Sequence, residues 1–163
     1  MSMTLEVERE AGNVVPISQG CSAHKGMAIA CCCVAITSLV PVVLLQLRVL
    51  KTLPDPPGRM FNSKRIVTSR NAYPLGIPDG LLGIGSYSLT LVLLLTARPS
   101  RPLLQTALRG KLLLDGTMAA RNARKQVTQF GRICSWCMGT AIATAGIVYF
   151  ARKAREADRL RRA

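Results

Sequence analysis

Histidine, acidic residues and aromatics are all scarce in this chain of 163 residues, and each scarcity removes a class of function. There is one histidine, His24, three positions after Cys21. A zinc site would have to be gathered from Cys21, His24, Cys134 and Cys137, and no metal is expected on so thin a ligand set. Seven aromatics are too few to interleave with basic side chains as a nucleic-acid surface does, so no nucleic-acid partner is expected. Glycine and proline, at 13 and 9, are ordinary in amount, which excludes collagen-like and low-complexity chains. Apolar residues, by contrast, are plentiful. They make up 49% of the chain with a mean hydropathy of +0.27, so disorder is excluded for most of it. The length leaves room for one domain.

Eight acidic residues against 22 basic ones give a formal charge of +14. Where that charge is missing is more informative than its total. Residues 27–47 carry no charge, and neither do residues 80–97 or 133–151. About 20 apolar residues are needed to cross a bilayer of ~30 Å, so each stretch has the length of a membrane span. Pro41 is tolerated within such a helix. The first stretch is long for a signal peptide, follows Glu6, Glu8 and Glu10, and precedes no small-residue cleavage site, so it reads as an uncleaved span.

A weaker fourth segment covers residues 103–126. Leu104, Ala107, Leu108, Leu112 and Met118 recur at helical spacing, while Arg109, Lys111, Asp115 and Arg121 form a polar stripe. Lys111 and Asp115 are four apart and can pair. The segment is either a membrane helix with its polar stripe inward or an interfacial helix lying flat. The expected fold is an all-α integral membrane four-helix bundle over residues 27–151, its third helix weakly hydrophobic. A mobile tail (1–26), an extramembrane loop (51–79) and a basic tail (152–163) complete it. The loop holds LPDPPG and two further prolines, which argue against regular helix there. Basic residues in 97–111 and in the C-terminal tail favour a cytoplasmic C-terminus, although the loop after the first span is basic too.

Six cysteines fall into three groups. Cys31, Cys32 and Cys33 point in three directions around the first span and read as small apolar packing. Cys134 and Cys137, in CSWC, lie on one helical face at the start of the last span. Arg132 and the helix N-terminus favour a thiolate there, the species that exchanges disulfides. Met138 follows the second cysteine where a c-type haem would need histidine.

This arrangement resembles the vitamin K epoxide reductase family, whose last helix opens with CxxC. The similarity runs over roughly residues 27–151 and includes FNSKRIVTSRNAYPLGIPDGLLGIGSYS, which looks like bacterial members. The resemblance implies a membrane oxidoreductase, in a bacterial inner membrane, that passes electrons from thiols to a quinone and supports disulfide formation. Cys137 would face the quinone, and Cys134 would exchange with an external thiol, such as a thioredoxin-like protein. Trp136, Asn62, Tyr73 and Tyr87 are the candidate quinone contacts. One departure stands out: family members carry a further cysteine pair in the loop after the first helix, and residues 51–79 contain none. The rival reading is a non-catalytic basic membrane protein that binds a partner or anionic lipid through its loops and C-terminal tail.

Overall fold

The computed structural model of the chain describes residues 17–160 other than 59 and 99. Four long helices run antiparallel in sequence: α1 (Ile17–Gln46), α3 (Asp79–Thr96), α4 (Pro102–Lys125) and α5 (Ser135–Leu160), with a short α2 (Ser63–Val67) in the loop. Among the described residues there is no strand, only one isolated bridge, Phe61 with Ile133. The helices close into a ring in which α1 packs on α5 and α3, and α4 packs on α3 and α5. This is the all-helical four-helix bundle that the sequence predicts.

One boundary differs from expectation. The tail of residues 1–26 is expected to be mobile; 1–16 lie outside the described residues, but α1 is already helical from Ile17. Residues 161–163 of the basic tail also lie outside them, whereas the rest continues α5 to Leu160. The loop is not wholly irregular either. Asn62 accepts the Arg65 N–H at 3.0 Å and caps α2, and single 3-10 turns follow at Arg70–Ala72 and Pro74–Gly76. A side-chain cap satisfies a donor that the first turn leaves unpaired, which lets five residues hold helix between prolines.

Small residues set the spacing of the ring. A Cβ added at Gly146 of α5 would lie 2.9 Å from Cys31 Sγ on α1, and one at Gly80 of α3 would lie 2.9 Å from Val43 Cγ2. Two of the cysteine triplet, Cys31 and Cys32, behave as packing, and Cys33 does not. Cys32 is sealed in the core and donates to the Tyr87 carbonyl at 3.3 Å, Cys31 is half-buried, and Cys33 is exposed. The main core joins Ala28, Ala35, Leu39, Leu94, Leu112 and Ile147.

The distribution of polarity is inverted relative to a soluble bundle. Leucines and valines are exposed along the outside: Val34 and Val40 on α1, Leu89 and Val92 on α3, Leu113 and Leu114 on α4. The Lys111–Asp115 ion pair instead points inward, with side chains 10% and 6% exposed. Lys111 Nζ donates to Ser86 Oγ at 2.8 Å and Thr90 Oγ1 at 3.0 Å, and both hydroxyls donate to Asp115. So α4 turns part of its polar stripe inward. Arg109 and Arg121 of that stripe are exposed, as are Ala107 and Met118 of the apolar one, because these positions lie off the buried face.

Two helical segments, Ser22–Gln46 and Asp79–Thr96, are long and apolar enough to cross a membrane. Among the described residues α5 does not reach that measure, although residues 133–151 carry no charge. Gly139, Thr140, Thr144 and Gly146 dilute its hydropathy, and Thr140 and Thr144 face the core.

Breaking the internal ion pair from one side strands a buried charge, at a cost of about 3–5 kcal/mol. Asp115→Leu is therefore expected to lower unfolding stability in detergent by that amount. The double variant Lys111→Met with Asp115→Leu should recover most of the loss. A double variant as unstable as the single one would show that the pair is not internal.

Candidate active site

At the end of the bundle where α1 finishes, the chain turns through Arg48 in a left-handed conformation (φ 61°) and enters the loop. The loop folds back over the start of α5, and four features fasten it there. Ile133 N–H donates to Met60 O at 2.8 Å, and Asn62 N–H donates to Ile133 O at 3.2 Å. Asp55 accepts from Ser63 N–H at 2.8 Å, from the Ser63 hydroxyl, and from Ser135 Oγ at 2.8 Å. Trp136 Nε1 donates to Pro54 O at 3.2 Å. Tyr73 OH donates to the Gln46 carbonyl at 3.2 Å, which ties the loop's far end to α1.

Cys134 lies under this cover, with no exposed surface. It precedes the first turn of α5, outside the helix, and its carbonyl accepts the Met138 N–H at 3.0 Å. That makes it the N-cap residue, and its sulfur does what a capping oxygen does elsewhere: the Cys137 N–H donates to Cys134 Sγ at 3.3 Å. Its own N–H donates to Gln126 Oε1 at 2.9 Å. Gln126 is brought there by a five-residue π turn, Gln126–Phe130, which ends at left-handed Gly131 (φ 57°). A residue with a side chain would be strained at that φ.

The Cys134 thiol is drawn down from its ordinary value to about 7. The hydrogen bond from the Cys137 thiol is the main cause, opposed by burial and helped by the Ser63 hydroxyl and the Cys137 N–H. The nearby Asp55 carboxylate works the other way. The helix N-terminus anticipated from sequence thus contributes through one defined N–H. The larger effect comes from the second thiol of the pair. Burial pushes the Asp55 carboxyl up, but the bonds from Ser63 and Ser135 outweigh it and hold the group below its ordinary value.

Cys134 and Cys137 are free thiols held against the cluster of Val42, Leu45, Leu53, Ile66 and Val67, with Trp136 beside them. Of the other residues singled out by sequence, Trp136, Asn62 and Tyr73 lie at this end, engaged with Pro54, Arg65 and Gln46. Tyr87 lies deeper in the bundle, where its hydroxyl and Thr144 Oγ1 are 2.6 Å apart. His24 is at the opposite end, stacked with Phe150 at 6.2 Å between ring centroids, so it is not brought to the cysteine pair.

Sequence reasoning passed over Asp55, Ser63, Ser135, Gln46, Gln126 and Asp79. Gln46 is buried, donating to Asp79 Oδ1 at 2.6 Å and accepting the Gly80 N–H at 3.2 Å, and Asp79 is within electrostatic reach of Cys137. The available signal was two acids in a loop otherwise rich in Lys and Arg.

Alkylation of Cys134 by a small reagent is expected to rise with pH around a midpoint near about 7. Cys137→Ala removes the principal bond to the sulfur and should move that midpoint up toward the ordinary thiol value of about 8.5. An unmoved midpoint would show that the second thiol does not set the first. Asp55→Asn loosens the cover and removes a negative charge, so it should speed Cys134 alkylation at neutral pH severalfold. Because the folded Asp55 carboxyl is lowered, its hold is complete above the ordinary carboxylate range and is lost as pH falls through the lowered value. An alkylation rate insensitive to Asp55→Asn would mean the loop does not control access.

No curated protein and no solved structure matches the chain. Residues 26–151 match the family model described as the vitamin K epoxide reductase family. That range contains the four-helix core from Gly26 onward, the loop cover and both cysteines of CSWC. Family membership together with two long apolar helices marks a membrane protein, and the family is one of oxidoreductases. The chain belongs to the vitamin K epoxide reductase family.

Proposed function

We propose that the protein is a membrane thiol–quinone oxidoreductase whose working pair is Cys134 and Cys137, and that it supports disulfide formation in partner proteins. The observation that carries this reading is the paired geometry at the start of α5. A buried sulfur accepts from the N–H of its partner cysteine at 3.3 Å, and its thiol is drawn down to about 7. A thiol near that value is partly ionised at neutral pH and both attacks and leaves readily in disulfide exchange.

In the oxidised state the pair is a disulfide. A thiolate of the donor attacks the Cys134 sulfur, the Cys134–Cys137 bond breaks, and the Cys137 thiolate leaves. A second thiolate, from the same dithiol donor or from another small thiol, then attacks the sulfur joined to Cys134, which releases the donor as a disulfide and Cys134 as a thiolate. Two electrons have passed to the pair. A bound quinone supplies a two-electron, two-proton acceptor that restores the disulfide and becomes quinol. The surroundings of Cys137 suit such a ring: Val42, Leu45 and Trp136 offer apolar contact, and the thiol is half-buried rather than sealed. Trp136, Tyr73 and Asn62, at this end of the bundle, with Asp79 in electrostatic reach of Cys137, are the residues we assign to hold it; Tyr87 lies deeper, against Thr144.

With no cysteine in the loop, electrons come from a separate thiol donor, a small thiol or a thioredoxin-like protein. Cys21 cannot substitute, because the first turns of α1 lie at the end of the bundle away from CSWC. The donor reaches Cys134 only when the loop over it opens. All four long helices cross the membrane, which we take to be a bacterial inner membrane. The C-terminus is cytoplasmic, because Arg98, Arg101 and the end of α5 share that side.

Thiol trapping with an alkylating mass tag in reconstituted membranes tests this. Cys134 and Cys137 are expected to be protected as a disulfide when quinone is supplied and to be tagged after a dithiol is added. Cys134→Ser or Cys137→Ser should abolish quinone-dependent oxidation of the donor. A pair that stays reduced with quinone present would leave the non-catalytic reading.

A further inference from the structure

The end of the bundle opposite CSWC carries a feature that thiol chemistry does not use. A cleft of about 280 Å³ between α4 and α5 is lined by Arg109, Arg152, Arg155, Arg159 and Glu156. A second hollow of about 210 Å³ shares Arg109, Arg152 and Arg155 but is walled by Leu112, Leu113 and Val148. Four guanidinium groups thus converge at the head of an apolar groove.

Cations at the last turn of a helix are ordinary, since they oppose its dipole. That accounts for Arg159 but not for the cleft. Arg109 comes from another helix, and Arg155 is half-buried with its Nε donating to Ala151 O at 3.2 Å. Burial and the charges of Arg109, Arg152 and Arg159 all lower the Arg155 pKa, so the group lies in a field of its own sign. Glu156, the carboxylate in the lining of the cleft, accepts from Lys153 Nζ at 3.1 Å. Such a cluster is stabilised by an anion, and guanidinium forks match phosphate oxygens in pairs.

Position selects the source of the anion. The uncharged part of α5 ends at Ala151, and Arg152 to Arg159 occupy the next two turns, at headgroup depth if α5 crosses the membrane. The groove at Leu112, Leu113 and Val148 descends from the arginines toward the exposed apolar flank of α4, where a free phosphate has nothing to contact and an acyl chain does.

We propose that the α4–α5 cleft binds the headgroup of an anionic phospholipid through Arg109, Arg152 and Arg155, with one acyl chain along Leu112, Leu113 and Val148. The site rests on the membrane insertion in the functional reading and is independent of the redox step, so loss of one leaves the other intact.

Native mass spectrometry of the full chain, released from nanodiscs of equal phosphatidylglycerol and phosphatidylcholine, tests it. The wild type should retain phosphatidylglycerol over phosphatidylcholine by roughly tenfold, the scale of a lost charge-assisted contact. Arg109→Gln with Arg155→Gln should bring the two lipids near parity. Arg121→Gln with Arg124→Gln, the same charge change elsewhere on α4, should leave the preference in place. In the wild type alone, a photoreactive phosphatidylglycerol should crosslink within residues 109–113 and 148–159, a readout that needs no variant to fold. Equal retention of both lipids by the wild type, or crosslinks only elsewhere, overturns the site. So does loss of the preference in millimolar inorganic phosphate, which would mark a free-anion site, or a lipid-free dimer that closes the cleft with a second copy.

Discussion

Everything at the cysteine pair depends on how closely α5 lies against α1. The gap is set by residues with little or no side chain: Gly146 opposite Cys31, and Ala143 and Ala151 sharing a core with Ala28 and Ala35. Close approach of two long helices makes them rigid relative to each other, and dispersion between well-packed surfaces supplies the attraction where there is no water to exclude. Because α1 and α5 run in opposite directions, the end of α1 and the start of α5 meet. The loop that leaves α1 then has the N-terminus of α5 within reach. Asp55, Trp136 and the Phe61–Ile133 bridge follow from that adjacency.

The placement of polarity obeys a second constraint. A bundle in hydrocarbon gains nothing by hiding leucine, so leucine and valine can stay outside, while ionised groups must be paired and hydrogen-bonded within. Lys111 and Asp115, with Ser86 and Thr90, meet that requirement completely: no buried side-chain polar atom among the described residues lacks a partner. The described basic residues other than Lys111 divide between the two ends of the bundle. At one they surround the loop; at the other they gather around Arg155, where the helices rather than the loop determine which charges meet.

Much of the site was legible in the sequence, for reasons that can be stated. CSWC shows itself because two cysteines three apart at a helix start can meet, although Cys134 is the N-cap residue rather than part of the helix. That Cys31 to Cys33 point in different directions, so that Cys32 and Cys31 pack while Cys33 is exposed, follows from helical geometry too. Asp55 was not legible. Its partner Ser135 is 80 positions away, and nothing local in LPDPPG distinguishes a hub of three hydrogen bonds from a solvated turn acid. Gln126 was hidden for a related reason: it reaches the Cys134 N–H only because a π turn and left-handed Gly131 reverse the chain. The polar stripe of α4 was half legible. Spacing identified Lys111 and Asp115 as a pair, but the side on which Arg109 and Arg121 fall depends on the rotation of the helix against its neighbours.

What the sequence by itself determined was whatever depends on composition along a single segment: the uncharged helical stretches, the cysteine pair at a helix start, the lack of loop cysteines, and the basic flanks. Hydropathy and helical periodicity are local properties, so one strand of text contains them. The tertiary structure alone decided that Cys134 is sealed, that its thiol is tuned chiefly by Cys137 against the opposing effect of burial, and that four arginines from two helices share a cleft. Hydrogen bonds and close charge contacts act over a few ångströms, and only the packed bundle brings residues so far apart in the chain within that range.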